Sequence, residues 1–209
     1  MTTEEAPITA LTAVMSPRDG ADEQVDWTAV GQAWGVGFPS DYMAFMAVYG
    51  AGGVDESVGI HVPEATTQPP EGPGFGSMAG ETAIMRRLWS DDGGPAGVDA
   101  TPASVIAWGT SSGADMLGWL TTGSDPDTWP VLVWKRHGSP QWQIHDCGMT
   151  EFPRRLFTRD FADCPLSDAS LWGDPSPHFV HWREERRRYE AGIDPYTGQL
   201  LPWHGADFT

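Results

Sequence analysis

Three groups of side chains have the chemistry for catalysis or metal binding. His178 and His181 lie three residues apart on a predicted helix, with Cys164 upstream. A structural metal site needs a third and a fourth ligand, and this spacing does not match a standard zinc signature. The more ordinary reading is a half-exposed helix beside a polar tail. Asp125, Asp127, His137, His145 and Asp146 fall in or near a run of predicted strands. A carboxylate pair with a histidine performs general acid–base work when the groups converge. Ser111-Ser112-Gly113 reads as a turn, and the chain has neither a Gly-x-Ser-x-Gly nucleophile motif nor a phosphate loop. The sequence therefore predicts a non-enzyme, with no catalytic, cofactor-binding or metal-binding residues assigned.

Charge offers a different chemistry. The chain has 29 acidic against 12 basic residues, a formal net charge of -17, and Lys135 as its only lysine. That balance argues against direct contact with nucleic acid or an anionic membrane, both of which demand cationic surface. It suits a basic protein partner, although an acidic surface also simply keeps a soluble protein dispersed. Asp55, Glu56, Asp91, Asp92, Asp115, Asp125 and Asp127 are the candidate interface acids, because they fall in loops or at strand ends. Asp115 has an alternative: just after a glycine turn, it could satisfy nearby backbone N–H groups. Arg186-Arg187-Arg188 is expected to pair internally with Glu184, Glu185 and Glu190. Eleven tryptophans read mostly as core or rim aromatics, with sugar stacking as the alternative for any near loops.

The elements that position these residues follow from periodicity and turn chemistry. Ile8, Leu11, Val14 and Met15 have the spacing of a short helix. Asp26 is the expected N-cap of a second, and Ser40 of a third whose apolar face is Tyr42, Phe45, Met46 and Tyr49. Gly50 should end that helix. Val54–Val62 reads as a strand or hairpin, 66–80 as a loop and Glu81–Trp89 as a helix. Short strands follow at Val105–Trp108, Asp115–Leu120, Trp129–Lys135 and Gln141–His145, in the manner of an antiparallel meander. A closing helix over Met149–Phe157 has Thr150 as its expected N-cap. Residues 160–177 read as a linker or wrapping loop, and Pro177–Ala191 as a charged helix. The expected organisation is an acidic N-terminal segment (1–24), an α+β domain (25–160) and a C-terminal extension (161–209) packed on it. Two cysteines, Cys147 and Cys164, are too few for a disulfide framework. With an acidic start unlike a signal peptide and no 18-residue apolar stretch, a cytoplasmic protein is expected.

Particular residues in that order carry a family resemblance. They are Phe38-Pro39 with Asp41, Tyr42 and Phe45; Tyr49-Gly50 with Gly52; and Trp108-Gly109 with Gly113, Asp115 and Trp119. Trp129-Pro130-Val131 and Phe152 add weaker support. Over about residues 25–160 the chain resembles the SUKH superfamily, the Smi/Knr-type domains. The resemblance implies an α+β fold with an antiparallel sheet flanked by helices. It also implies a non-catalytic binding role: an immunity protein that neutralises a cognate toxin domain, nuclease-like among the possibilities. The alternatives are an intracellular scaffold of the Smi/Knr type or, further off, a carbohydrate-binding protein. The N-terminal segment and the extension after residue 160 depart from the pattern.

Overall fold

A computed structural model describes residues 7–69 and 76–202. The acidic start at Met1–Glu5, the middle of the 66–80 loop and Trp203 lie outside the described residues. Six helices and seven strands follow in chain order: α1 (Pro7–Val14), α2 (Trp27–Trp34), α3 (Ser40–Val48), β1 (Gly52–Val54), β2 (Val58–Ile60), α4 (Met78–Asp92), β3 (Val105–Ser111), β4 (Met116–Leu120), β5 (Val131–Trp134), β6 (Trp142–His145), α5 (Glu151–Thr158), β7 (Phe179–His181) and α6 (Trp182–Glu190). The strands form one antiparallel sheet in the order β6-β5-β4-β3-β2-β1-β7, so the fold is α+β.

The expected meander is present as β3 to β6. The segment expected to be helical from Pro177 differs: Phe179–His181 is a strand that pairs with β1, and the helix begins only at Trp182. Phe179 and Val180 are fully buried, and a strand's alternation seats them on opposite faces of the sheet where a helix would leave one of them in solvent. The extension therefore continues the sheet.

Both faces of the sheet carry a core. On one face Tyr42, Phe45, Trp108, Trp119, Phe152 and Phe179 form a buried aromatic cluster with Leu11 and Met15 of the first helix segment. Trp119 meets Tyr42 edge-on at 4.9 Å, and Phe45 stacks on Tyr49 at 4.7 Å. On the other face α4 lies over β3 to β6 and buries Met85, Trp89, Ala107, Leu132 and Trp142. Burial of this apolar area is the main stabilising term.

Two helix starts, those of α3 and α5, depart from expectation in the same way. Asp26 caps α2 as predicted, accepting from Thr28 and Ala29 N–H. At α3, Pro39 takes the N-cap position and the first free N–H, on Ser40, is capped by Asp127 at 2.5 Å. Asp41 then accepts from the N–H and hydroxyl of Thr150, capping α5. Thr150 stands at the N-cap of α5, but its side chain makes no capping bond there. Two helices are thus capped by carboxylates distant in sequence, which tie α3 to the β4–β5 connection and α5 to α3.

Gly50 ends α3 with φ 72°, and a Cβ there would lie 2.4 Å from the Ala21 carbonyl oxygen. Only glycine fits both constraints.

Candidate functional site

The helix α4 covers only part of its face of the sheet. Over β1, β2 and the end of β3 the same face is floored by a row of paired residues, Gly53, Gly59 and Thr110. The hydroxyl of Tyr196 rests directly on Gly53, where a Cβ would meet it at 2.2 Å. Gly59 is left open: the nearest atom to a Cβ there is Thr110 Oγ1, at 3.9 Å. Two glycines where the hairpin would otherwise carry β-branched side chains make the floor flat.

Three hollows adjoin over this floor. One of about 350 Å³ is bounded by Gly52, Gly59, His61, Gly76, Trp182 and Glu185. A second, of about 300 Å³, shares Gly59 and Glu185 with it and takes in Glu56 and Thr110. The third, of about 340 Å³, shares Gly76 with the first and Thr110 with the second, and runs beneath Glu81, Ile84 and Leu88 of α4. They read as one groove between α4 and α6.

Its lining is net anionic, with Glu56, Glu81 and Glu185 against one cation, Arg136. Glu185 is half-buried, and burial together with the charge of Glu56 holds its carboxyl above the ordinary range. Glu81 is raised by burial, although it accepts from Gly76 N–H at 3.2 Å. The groove also holds a buried imidazole. His61 is 7% exposed, and its Nε2 has no hydrogen-bond partner among the described residues. Burial pushes its pKa down to about 4 against an opposing bond with the Gly76 backbone, so the ring is neutral at pH 7.

The predicted interface acids do not share one surface. Asp55 and Glu56 form the β1–β2 turn at the groove's rim; Asp55 accepts from His178 N–H and is raised by burial. Asp91 and Asp92 end α4, where Asp92 accepts from Trp134 Nε1. Asp125 and Asp127 are exposed at the β4–β5 connection, occupied with capping. Asp115 must be corrected. It is fully buried and accepts from Ser111 Oγ, Ser167 N, Ser167 Oγ and Arg136 N. A carboxylate so enclosed has no face left for a partner; it satisfies backbone donors, the alternative reading of that residue.

The residues grouped by the SUKH-type resemblance are structural here. Tyr42, Phe45, Trp108 and Trp119 are core, and the Tyr42 hydroxyl donates to the His61 carbonyl. A Cβ on Gly52 would lie 2.2 Å from the Val180 carbonyl oxygen, and one on Gly109 2.7 Å from that of Gly59, while at Gly113 it would lie 3.2 Å from Ser167 Cβ. Pro39 is the buried N-cap residue described above.

The catalytic and metal groupings come apart. His181 ends β7 and His178 lies just before that strand, and each bonds a separate carboxylate, His178 to Asp19 at 2.6 Å and His181 to Glu23 at 2.9 Å. Buried Glu23 is nonetheless held below the ordinary range by bonds from His181 and Trp182 and by the charge of Arg183. His145 packs edge-on between Phe152 and Phe161, whereas His137 is exposed in the β5–β6 loop. Among the described residues no three His, Cys, Asp or Glu side chains are grouped to hold a metal ion. Among the described tryptophans, Trp27, Trp34, Trp134, Trp172 and Trp182 are partly exposed and the others are buried. No described helix is long and apolar enough to cross a membrane.

Sequence reasoning missed Glu185 and His61. Glu185 was grouped with the arginine run, but it is Glu184 that pairs with Arg187 and Arg188. The available signal was the pair Gly53 and Gly59, equidistant from the turn. No protein-family model matches the chain, and comparison with curated proteins and with solved structures finds no match either.

Proposed function

We propose that this chain is a non-catalytic protein-binding module, an immunity protein of the Smi/Knr type that binds a basic toxin domain and blocks it. The observation that carries this reading is the anionic groove on the open part of the sheet, between α4 and α6. A half-buried glutamate beside a second carboxylate is a poor arrangement in isolation and a good one once a cation arrives. The net charge of -17 favours fast encounter with a basic protein. Trp182 and Tyr196 at the groove supply the amphipathic aromatic surface that binding sites use for affinity. The family resemblance points the same way.

The test is to purify the tagged protein from its native host and identify what is retained at low and moderate salt. An equimolar basic domain, weakened by salt, is the expected result. Retention of cell-wall or cytoskeletal proteins alone, or of nothing, contradicts the immunity reading and favours a scaffold.

A further inference from the structure

We propose that the recess over Gly59 is a seat for one arginine side chain of the partner, bridging His61 Nε2 and the Glu185 carboxylate. The inference deepens the binding-module reading and rests on it for the source of the arginine.

Three independent features shape the seat. The first is an acceptor without a donor. His61 lines the recess and is more than nine-tenths buried, and its Nε2 has no hydrogen-bond partner among the described residues; with the ring neutral and its proton on Nδ1, that nitrogen presents a lone pair. A buried polar atom in that state lacks the bond that buried groups normally have.

The second is a carboxylate without a cation. Glu185 makes no ion pair among the described residues, although four arginines share its helix. Arg183 is bound to Glu23, and Arg187 and Arg188 to Glu184. Arg183 and Arg186 both lie over the Trp182 ring, at 4.8 and 5.2 Å.

The third is space. Gly59 leaves room in ordinary β geometry, where no backbone constraint asks for glycine. Its partner Gly53 is needed for the Tyr196 hydroxyl; Gly59 is covered by nothing comparable.

The acceptors come from different elements, the exit of β2 and the first turns of α6. A guanidinium, with five donors in a rigid plane, can reach both, and it gives up its hydration more readily than an ammonium. Arginine is therefore the expected occupant over lysine.

The test uses the full chain and N-acetyl-arginine methylamide as probe, followed by the His61 imidazole nitrogen resonances, with N-acetyl-lysine methylamide at equal ionic strength as the comparison. Saturable movement of Nε2 with the arginine probe is expected, at least tenfold weaker in Glu185→Gln and lost in Gly59→Val. Valine suits a strand, and its Cβ has room, so Gly59→Val should fold; Glu185→Gln keeps the test open if it does not. No saturable movement, an equal response to lysine, or unchanged binding in Gly59→Val overturns the seat. The seat and the toxin reading separate cleanly. Arginine binding without a retained basic protein upholds the seat against that reading. A basic protein retained equally by wild type and Gly59→Val upholds the reading against the seat.

Discussion

Replacing Asp115 by alanine should destabilise the domain through the backbone donors it leaves unpaired. The carboxylate joins three segments: Ser111 at the end of β3, Arg136 after β5 and Ser167 in the segment that follows α5. Two of its four donors are backbone N–H groups, on Arg136 and Ser167, at 2.9 and 2.7 Å. The serine hydroxyls can turn to other acceptors; the two amides cannot. Each buried donor left unpaired costs about 1–3 kcal/mol, and bonds to a charged acceptor lie toward the upper end. The loss should total about 3–5 kcal/mol, which for a domain of this size lowers Tm by about 6–20 °C. Ser167→Ala removes one bond and leaves the carboxylate its backbone donors, so it should cost about 1 kcal/mol. Thermal unfolding followed by circular dichroism measures both. An Asp115→Ala melt within about 1 °C of wild type, the range of a typical surface change, would refute the assignment.

Gly50→Ala should cost about 1–3 kcal/mol for its left-handed backbone alone, and more from the contact with Ala21, as read by urea unfolding. His61 gives the stability a pH dependence of known sign. Its folded pKa of about 4 lies below the ordinary 6.5, so as pH falls the unfolded chain takes up the proton first. Its contribution is intact above about pH 6.5 and declines toward pH 4; between pH 7 and pH 5 the loss is about 2 kcal/mol. His61→Phe should flatten the unfolding profile by that amount over that interval, and an unchanged profile would contradict the assignment.

The local elements were legible because their signals are local. Asp26 as a cap, Gly50 as a stop, and the Val- and Trp-rich runs of β3 to β6 all follow from near neighbours. What failed depends on distant ones. Asp127 caps α3 and Asp41 caps α5 only because the sheet brings the β4–β5 connection and α3 together. Phe179–His181 reads as the start of a charged helix until β1 offers it a ladder. The same limit applies to the site. Counting acids found Asp55 and Glu56 at the groove's rim, but it weighted them equally with Asp115, which the fold encloses. Glu185 and Glu184 are adjacent and chemically identical, yet only Glu184 reaches the arginines. His61 gave no signal, because an orphaned nitrogen is a property of packing rather than of sequence.

The most direct test of the groove as the docking surface is the association rate of the retained basic domain with two charge-reversed variants. Glu56→Lys/Glu185→Lys reverses the groove; Asp91→Lys/Asp92→Lys makes the same change in net charge at the end of α4. The account predicts at least tenfold slower association for the groove variant at low salt and a much smaller change for the other. Equal slowing by both would reduce the effect to net charge, and no slowing by the groove variant would contradict the account.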